Sequence, residues 1–219
     1  MLASQLIVSD FPNVHLQDKV SLALGFMEDY DVQHLPVVSE DKYLGLVSKD
    51  DLLDADENSL VALLEYQLIP ASVLPGEYFL NAVKQANDFG LTIVPVITTE
   101  KELTGVITGK ELLKALGKFN GVDEPGGIIV LEMEKRNFSY GELSRLVETN
   151  DASITQLNTS LNAVTGTIEV IIKLNKVEIS DILATFQRYD YTIRYYFGEE
   201  SYENELKQNY DLLMTYLRM

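Results

Sequence analysis

The sequence has no cysteine among its 219 residues, and it has only two histidines, His15 and His34. The absence of cysteine excludes disulfide bonds, thiolate catalysis and cysteine metal ligands, and it is compatible with a cytoplasmic protein. Neither histidine has further ligands at metal-binding spacing, so we predict no metal site. His34 lies beside an apolar run, where a core or rim histidine is expected.

Basic residues are few, since 17 lysines and arginines stand against 34 aspartates and glutamates, for a formal net charge of -17. A surface of this charge repels nucleic acid and anionic membranes, so we predict neither as a partner. Any phosphate-bearing ligand must then be captured by local groups. No apolar run approaches the ~20 residues of a membrane span, and the N-terminus lacks signal-peptide features. We therefore expect a soluble, cytoplasmic protein.

Catalytic motifs are also lacking. There is no G-x-G-x-x-G motif, and no pair of nucleophile and base stands out among the many carboxylates. A P-loop is excluded because Gly105 and Gly109 are separated by three residues instead of four, and Lys110 is followed by Glu111. We predict that the protein is not an enzyme and has no resident cofactor.

One pattern occurs twice in the first half of the chain. Residues 45–52 follow the apolar run 35–38, and a similar stretch at 105–112 follows 94–97. Each copy is typical of a short buried strand that enters a helix, with a hydroxyl at the strand end and a carboxylate three residues later. The hydroxyl and carboxylate residues are Ser48 with Asp51, and Thr108 with Glu111.

The similarity extends well beyond these stretches. An offset of 59 aligns the two halves through the apolar runs, and one inserted residue then makes the offset 60. In each half we predict a short extended segment, a helix (residues 19–29 and 78–88), a hairpin and a second helix. The aligned pairs are Val14 with Val73, Ala23 with Ala82, Tyr30 with Phe89, Val32 with Leu91, Pro36 with Pro95 and Gly45 with Gly105.

The hydroxyl and the carboxylate allow two interpretations. Ser48 can offer its hydroxyl and the N–H groups of a helix start to a phosphate, while Asp51 can accept hydrogen bonds from a ribose diol. Alternatively, the pair forms a capping box of the [ST]-x-x-[DE] kind, which only begins the helix. The repetition of the pattern favours the ligand-binding interpretation.

This pattern of helix, apolar-Pro-Val-apolar strand, hairpin and Gly-apolar-apolar-[Ser/Thr]-x-x-Asp resembles the CBS domain. The two copies, at residues 1–59 and 60–118, resemble the CBS pair called a Bateman module. The resemblance implies clefts that commonly bind AMP, ADP, ATP or related adenosyl ligands, with ribose on the helix-start carboxylate and phosphate near the hydroxyl. Carried onto this sequence, the first site comprises Val14, Leu35, Ser48 and Asp51, and the second comprises Val73, Val94, Thr108 and Glu111.

The second site departs from the family pattern at Glu111, which stands where the family has Asp. Its additional methylene moves the carboxylate by more than about an ångström, which is enough to misalign a bidentate contact to ribose. We therefore expect the second cleft to bind a different ligand or none.

The rest of the chain predicts a helix at residues 60–66, a linker at 119–127 and a further domain at 128–198. The elements of that domain are predicted in the order βαββαβ, which is a ferredoxin-like α+β arrangement. Their predicted ranges are 128–133, 140–148, 153–159, 167–174, 179–189 and 191–197.

With Gly141 opening its first helix, this domain resembles an ACT-like regulatory domain, although Asn137 and Tyr140 stand near the places of that family's Asp and Pro. The resemblance implies that the domain pairs with another copy. Residues 199–219 predict an amphipathic helix that packs on its own domain or contacts another subunit. Its apolar positions are Tyr202, Leu206, Tyr210, Leu213 and Leu217.

The whole order, two CBS-like repeats and an ACT-like unit, resembles the acetoin-utilisation family of regulatory proteins. We therefore predict a homodimeric sensor that binds an adenine nucleotide in its CBS cleft and modulates an unknown protein partner or its own assembly. The alternative is a dimeric scaffold that binds partners while its clefts stay empty.

Overall fold

The computed structural model describes residues 1–199. The chain divides into two compact units, Met1–Phe119 and a second unit that begins at Asn120. The tail helix expected at 199–219 lies, from residue 200 onward, outside the described residues. Within residues 1–199, no helix is long and apolar enough to cross a membrane.

The first unit contains two copies of one arrangement, which we call repeat 1 and repeat 2. Each has a hairpin whose second strand leads directly into a helix. Repeat 1 consists of β1 Val14–His15, α1 Val20–Asp29, β2 His34–Ser39, β3 Lys42–Ser48 and α2 Lys49–Leu53. Repeat 2 consists of α3 Phe79–Phe89, β4 Ile93–Ile97, β5 Leu103–Thr108 and α4 Gly109–Phe119.

The core of this unit follows from the apolar spacing. Helix α1 buries Val20, Ala23 and Met27, one stripe at helical period, whereas Leu24 is only partly buried. Strand β2 is buried from its first residue through Val38, as expected for a strand that is covered on both faces. The two hairpins therefore form the centre of the unit and the helices cover them.

The outer edge of each hairpin pairs with a segment that lies outside its own repeat. The backbone N–H of Leu46 donates to the carbonyl of Ile69, and that of Ile69 donates back, both at 2.9 Å. In repeat 2, Val106 and Val8 exchange the same pair of hydrogen bonds at 3.1 and 2.8 Å. Hence the segment before repeat 1 extends the sheet of repeat 2, and the segment between the repeats extends the sheet of repeat 1.

This exchange explains the repeated glycine. A Cβ on Gly45 would lie 2.7 Å from the Cβ of Leu68, and one on Gly105 would lie 2.6 Å from the carbonyl oxygen of Val8. Gly105 also has a φ of 146°, which side chains rarely adopt. Only glycine allows the exchanged segments to approach this closely.

We expected an ordinary helix at 60–66, but the structure has a 3-10 helix at Val61–Gln67. Only Val61 and Leu64 are buried in it, three residues apart, which fits the three residues per turn of a 3-10 helix. The exposed apolar side chains repeat at the same spacing, namely Leu60, Leu63 and Tyr66.

The second unit has the element order βαββαβ. The elements are β6 Ile128–Glu134, α5 Tyr140–Glu148, β7 Ile154–Leu161, β8 Thr167–Leu174, α6 Ser180–Arg188 and β9 Thr192–Phe197. The four strands form one antiparallel sheet in the order β7-β8-β6-β9, so the first and third strands in sequence lie at the centre.

One face of this sheet is packed against both helices. Along β8 every second residue is buried, among them Ile168, Val170 and Ile172, as expected for a strand with one buried face. Part of the segment expected as a linker at 119–127 is also packed, because the N–H of Gly127 donates to the Lys176 carbonyl at 2.8 Å.

Candidate functional site

The first predicted set of residues lies on one sheet of repeat 1. Leu35 pairs with Val47, the residue before Ser48, and Val14 pairs with Val37, two residues further along β2. Val14 and Leu35 are fully buried, so their side chains belong to the core. The structure brings Leu35 next to the end of β3, whereas Val14 lies nearer the middle of the hairpin.

Ser48 and Asp51 are in direct contact at the start of α2. The Ser48 hydroxyl accepts from the backbone N–H of Asp51 at 3.1 Å and donates to Asp51 Oδ2 at 2.5 Å. One half of the capping box is therefore formed, whereas the Asp51 carboxylate contacts the Ser48 hydroxyl. This contact does not exclude a ligand, because a carboxylate can accept several hydrogen bonds. Helix α2 has only five residues, however, so its dipole offers less to a phosphate than expected.

His34 lies opposite Ser48 in the pairing of β2 and β3, and it joins the two repeats. Its Nδ1 lies 3.3 Å from Thr92 Oγ1 and accepts from the Thr92 N–H at 3.4 Å. The neighbouring Gln33 N–H also donates to Thr92 Oγ1, at 3.0 Å. Burial lowers the pKa of His34, and the negative charges of Asp50 and Asp51 oppose that shift.

From the sequence, His34 was expected only as a core or rim residue, and Thr92 was not predicted to contact it. A signal was available, because Gln33 aligns with Thr92 at the same offset of 59 that relates the repeats. Polar residues at matched positions just before two buried strands are expected to face each other across a pseudo-symmetric pair.

The second predicted set of residues has the same arrangement as the first set, as far as the start of the helix. Val73 donates its N–H to the Pro95 carbonyl at 3.0 Å, and Val94 pairs with Ile107 in the hairpin of repeat 2. Both valines are buried. Thr108 Oγ1 accepts from the N–H of Glu111 at 3.3 Å, so this helix also begins at a hydroxyl.

The carboxylate of Glu111 has a different partner from that of Asp51. Its Oε1 forms an ion pair with Lys114 Nζ at 2.9 Å, one helical turn further on. The two residues line a cleft of about 280 Å³ beside the N-terminal segment. The other residues that line the cleft are Met1, Gln5, Leu6, Ala115 and Lys118.

A separate cavity of about 420 Å³ lies at the end of the hairpin that carries the turn. Asn13, His15 and Asp41 of repeat 1 line it together with Glu102 of repeat 2. Because β3 spans seven residues from Lys42 to Ser48, this end lies roughly 20 Å from Ser48 at 3.3 Å per residue. The cavity therefore does not include the hydroxyl and carboxylate of the predicted site.

Among residues 1–199, no group of three or more His, Asp and Glu side chains is arranged to hold an ion.

Comparison with known proteins agrees with the repeated architecture. Residues 3–58 match the CBS domain family. A crystal structure of a CBS domain pair/ACT domain protein from Thermotoga maritima is 24% identical, with a TM-score of 0.50, over 54% of this chain and 98% of that one. The first unit has the fold of a CBS domain pair. CBS pairs of this kind are mostly regulatory rather than catalytic.

Two further proteins are similar to parts of this chain. Inosine-5'-monophosphate dehydrogenase from Korarchaeum cryptofilum is 27% identical over 110 residues, which cover 50% of this chain and 23% of the enzyme. The match thus spans less than a quarter of that enzyme and concerns its CBS part. The cytosolic domain of the Mg2+ channel MgtE, solved in complex with ATP, is 23% identical over 52% of this chain and 48% of that one, with a TM-score of 0.45.

Proposed function

We propose that this protein is a regulatory sensor that binds an adenosyl ligand, such as AMP, ADP or ATP, in the cleft of repeat 1. CBS domains commonly bind adenosine ligands as regulators. The observation that carries the proposal is the pairing of Ser48 and Asp51 at 2.5 Å, at the end of a buried strand. In repeat 2 the equivalent carboxylate, Glu111, is instead engaged by Lys114.

In this proposal Asp51 accepts hydrogen bonds from the two ribose hydroxyls, and Ser48 lies near the phosphate. Leu35 and Val14, whose side chains are buried, contribute backbone groups to the base. The equivalent residues of repeat 2 form a cleft with a different ligand or none. These residues are Val73, Val94, Thr108 and Glu111.

The charge around Asp51 favours a ligand with few negative charges. Asp50 precedes it on α2, Asp54 follows as the residue that caps the end of the helix, and Lys49 is the nearby cation on α2. Each additional phosphate brings further repulsion from these carboxylates. We therefore place AMP or the cationic S-adenosylmethionine ahead of ATP.

We further propose that the second unit is a ferredoxin-like, ACT-like domain, and that the whole chain is related to the acetoin-utilisation regulatory family. The order βαββαβ and the central position of the first and third strands support this assignment. The protein acts in the cytoplasm as a homodimer with a protein partner. Ligand binding then shifts its assembly through a difference in affinity between two states.

Calorimetric titration of the full chain with AMP, ATP and S-adenosylmethionine tests the proposal. We expect saturable binding of one molecule per chain, with ATP the weakest of the three. The absence of both heat and thermal stabilisation with all three compounds would contradict the sensor and favour the dimeric scaffold with empty clefts.

A further inference from the structure

The sheet of the second unit has two different faces. One face is covered by α5 and α6, whose exposed residues are polar or small apart from Tyr140 at the start of α5. The other face, which we call the open face, carries an apolar patch. Five side chains form this patch, namely Ile128, Val130, Ile171, Tyr195 and Phe197.

The strand register brings the patch together. Val130 pairs with Ile171 on one side and with Tyr195 on the other, and Ile128 pairs with Phe197. Residues that pair directly across neighbouring strands lie on the same face of a sheet. The rings of Tyr195 and Phe197 are in edge contact, with centroids 5.9 Å apart, yet these residues are 46% and 62% exposed. The patch therefore extends to the edge strand β9 and presents two aromatic rings to solvent.

A segment of the chain lies over the opposite side of the open face. Residues 120–126 line a cavity of about 470 Å³ together with side chains of β7, β8 and Ile128. Lys173 Nζ donates to the Gly121 carbonyl, which holds this segment against β8. The Glu124 carboxylate lies near the same glycine and balances the charge of Lys173. The rest of the patch, on β6 and β9, is outside this cavity.

We propose that residues 200–219, which we call the tail, pack on the β6 and β9 side of the open face. Strand β9 ends at Phe197, within the patch, so the tail begins beside this face. Its sequence predicts an amphipathic helix with one apolar stripe from Tyr202 to Leu217. Burial of that stripe against the aromatic rings removes apolar surface of both from water.

The lengths of the two surfaces agree. As a helix, the stripe from Tyr202 to Leu217 spans about 22 Å at 1.5 Å per residue. The six residues of β9 span about 20 Å at 3.3 Å per residue. A tail that turns back after Gly198 can therefore follow the whole of the strand. The helix-covered face offers no equal match, because the exposed residues of α6 are polar or small.

Charges at the far end of the open face agree with this direction. Glu132 and Glu169 share Arg194, at 3.0 and 3.1 Å, which leaves one negative charge in that group. Glu169 lies four residues, or about 13 Å, along β8 from Lys173. In a helix, Lys207 follows residue 200 by about 10 Å, so a tail that runs back over the face brings this cation near the two carboxylates. The inference depends neither on the nucleotide site nor on the homodimer.

Cysteine cross-linking can test the contact, because the chain has no cysteine of its own. Tyr195→Cys is combined with Leu206→Cys in the full chain and oxidised in dilute solution. The matched control combines Tyr189→Cys with Leu206→Cys, since Tyr189 is 48% exposed and caps the end of α6. We expect a disulfide within one chain to form at least about tenfold faster at position 195 than at 189, because packing raises the effective concentration of the two thiols.

Every other outcome of this experiment contradicts the proposal. Equal rates at the two positions, or no disulfide at position 195, would show that the tail does not pack on the open face. A disulfide that joins two chains, seen by non-reducing electrophoresis, would place the tail on another copy. Circular dichroism establishes that each variant is folded, and Phe197→Cys replaces Tyr195→Cys if the latter is not.

Thiol reactivity gives a second readout. Tyr195→Cys is alkylated alone and in combination with the tail changes Leu206→Lys and Leu213→Lys. We expect the tail changes to raise the alkylation rate at least about fivefold, because the thiol loses its cover. Tyr189→Cys should react at one rate in both backgrounds. An unchanged rate for Tyr195→Cys would overturn the proposal.

Discussion

Repeat 1 and repeat 2 share their strand pairing and exchanged edges, yet the carboxylate at the helix start has a different partner in each. Asp51 contacts the capping hydroxyl of Ser48, whereas Glu111 reaches Lys114. The residue equivalent to Lys114 in repeat 1 is Asp54, which cannot form such a pair. This change of charge accounts for the difference, because only repeat 2 offers the carboxylate a cation one turn further along the helix.

The largest difference between the repeats is expected at the repeated glycine. Gly45→Ala should lower the free energy of unfolding by about 1–3 kcal/mol, because its Cβ contacts Leu68 too closely. Gly105→Ala should cost about 1–3 kcal/mol more, because alanine must also adopt a φ of 146° beside the Val8 carbonyl. Chemical denaturation monitored by hydrogen exchange at β3 and β5 amides measures both.

Gly25→Ala is the control for this comparison, since its Cβ would meet nothing within 4 Å. It lies inside α1, where alanine is the better helix former, and it should stabilise by up to about 1 kcal/mol. Equal losses from Gly45→Ala and Gly105→Ala would show that the backbone conformation of repeat 2 adds no strain.

A smaller effect is expected from His34, which repeat 2 lacks at the aligned position. Because burial lowers its pKa from the ordinary 6.5, the unfolded chain binds the proton first as the pH falls. Neutral His34 therefore makes its full contribution to the free energy of unfolding above pH 6.5, and this contribution is lost as the pH falls below that value. His34→Gln should therefore reduce the fall in melting temperature between about pH 7.5 and pH 5.5.

His15→Gln, which replaces the other histidine of the chain, is the matched control for the loss of an imidazole. If His34→Gln keeps the wild-type pH dependence, the contact between His34 and Thr92 does not depend on a neutral imidazole.

The smallest effect is expected where the two hairpins meet. Lys42 and Glu102 form an ion pair at 3.0 Å, but their side chains are 44% and 55% exposed. Lys42→Met should therefore change the free energy of unfolding by less than about 1 kcal/mol, and less still at high salt. The backbone bond from Tyr43 to Lys101 at 2.8 Å remains and holds the hairpins together. A loss above about 2 kcal/mol would show that the repeats depend on this charge pair.

Local patterns in the sequence predicted the elements well. Helix α5 and strand β8 have the predicted bounds, and the Ser48 hydroxyl caps α2, as one of the two interpretations of that pattern required. These features depend on periodicity and on residues three apart. The 3-10 helix at Val61–Gln67 was predicted as an ordinary helix, because apolar residues on most of its faces conceal a period of three.

Contacts between distant segments were not predicted. Val8 pairs with Val106, and Ile69 pairs with Leu46. These residues are far apart in sequence, and no local pattern predicts that they pair. The pairing of Glu111 with Lys114 is local, but the sequence analysis compared Glu111 only with the aspartate of the family and did not consider its neighbours.

The central claim is that repeat 1, through Asp51, binds the adenosyl ligand and repeat 2 does not. Calorimetric titration of AMP into wild type, Asp51→Ala and Glu111→Ala tests it most directly, once equal melting temperatures have shown that the variants are folded. We expect Asp51→Ala to weaken binding by roughly one to two decades, which corresponds to about 1.5–3 kcal/mol, and Glu111→Ala to bind as wild type does. Unchanged binding by a folded Asp51→Ala, or loss of binding by Glu111→Ala, would contradict the assignment.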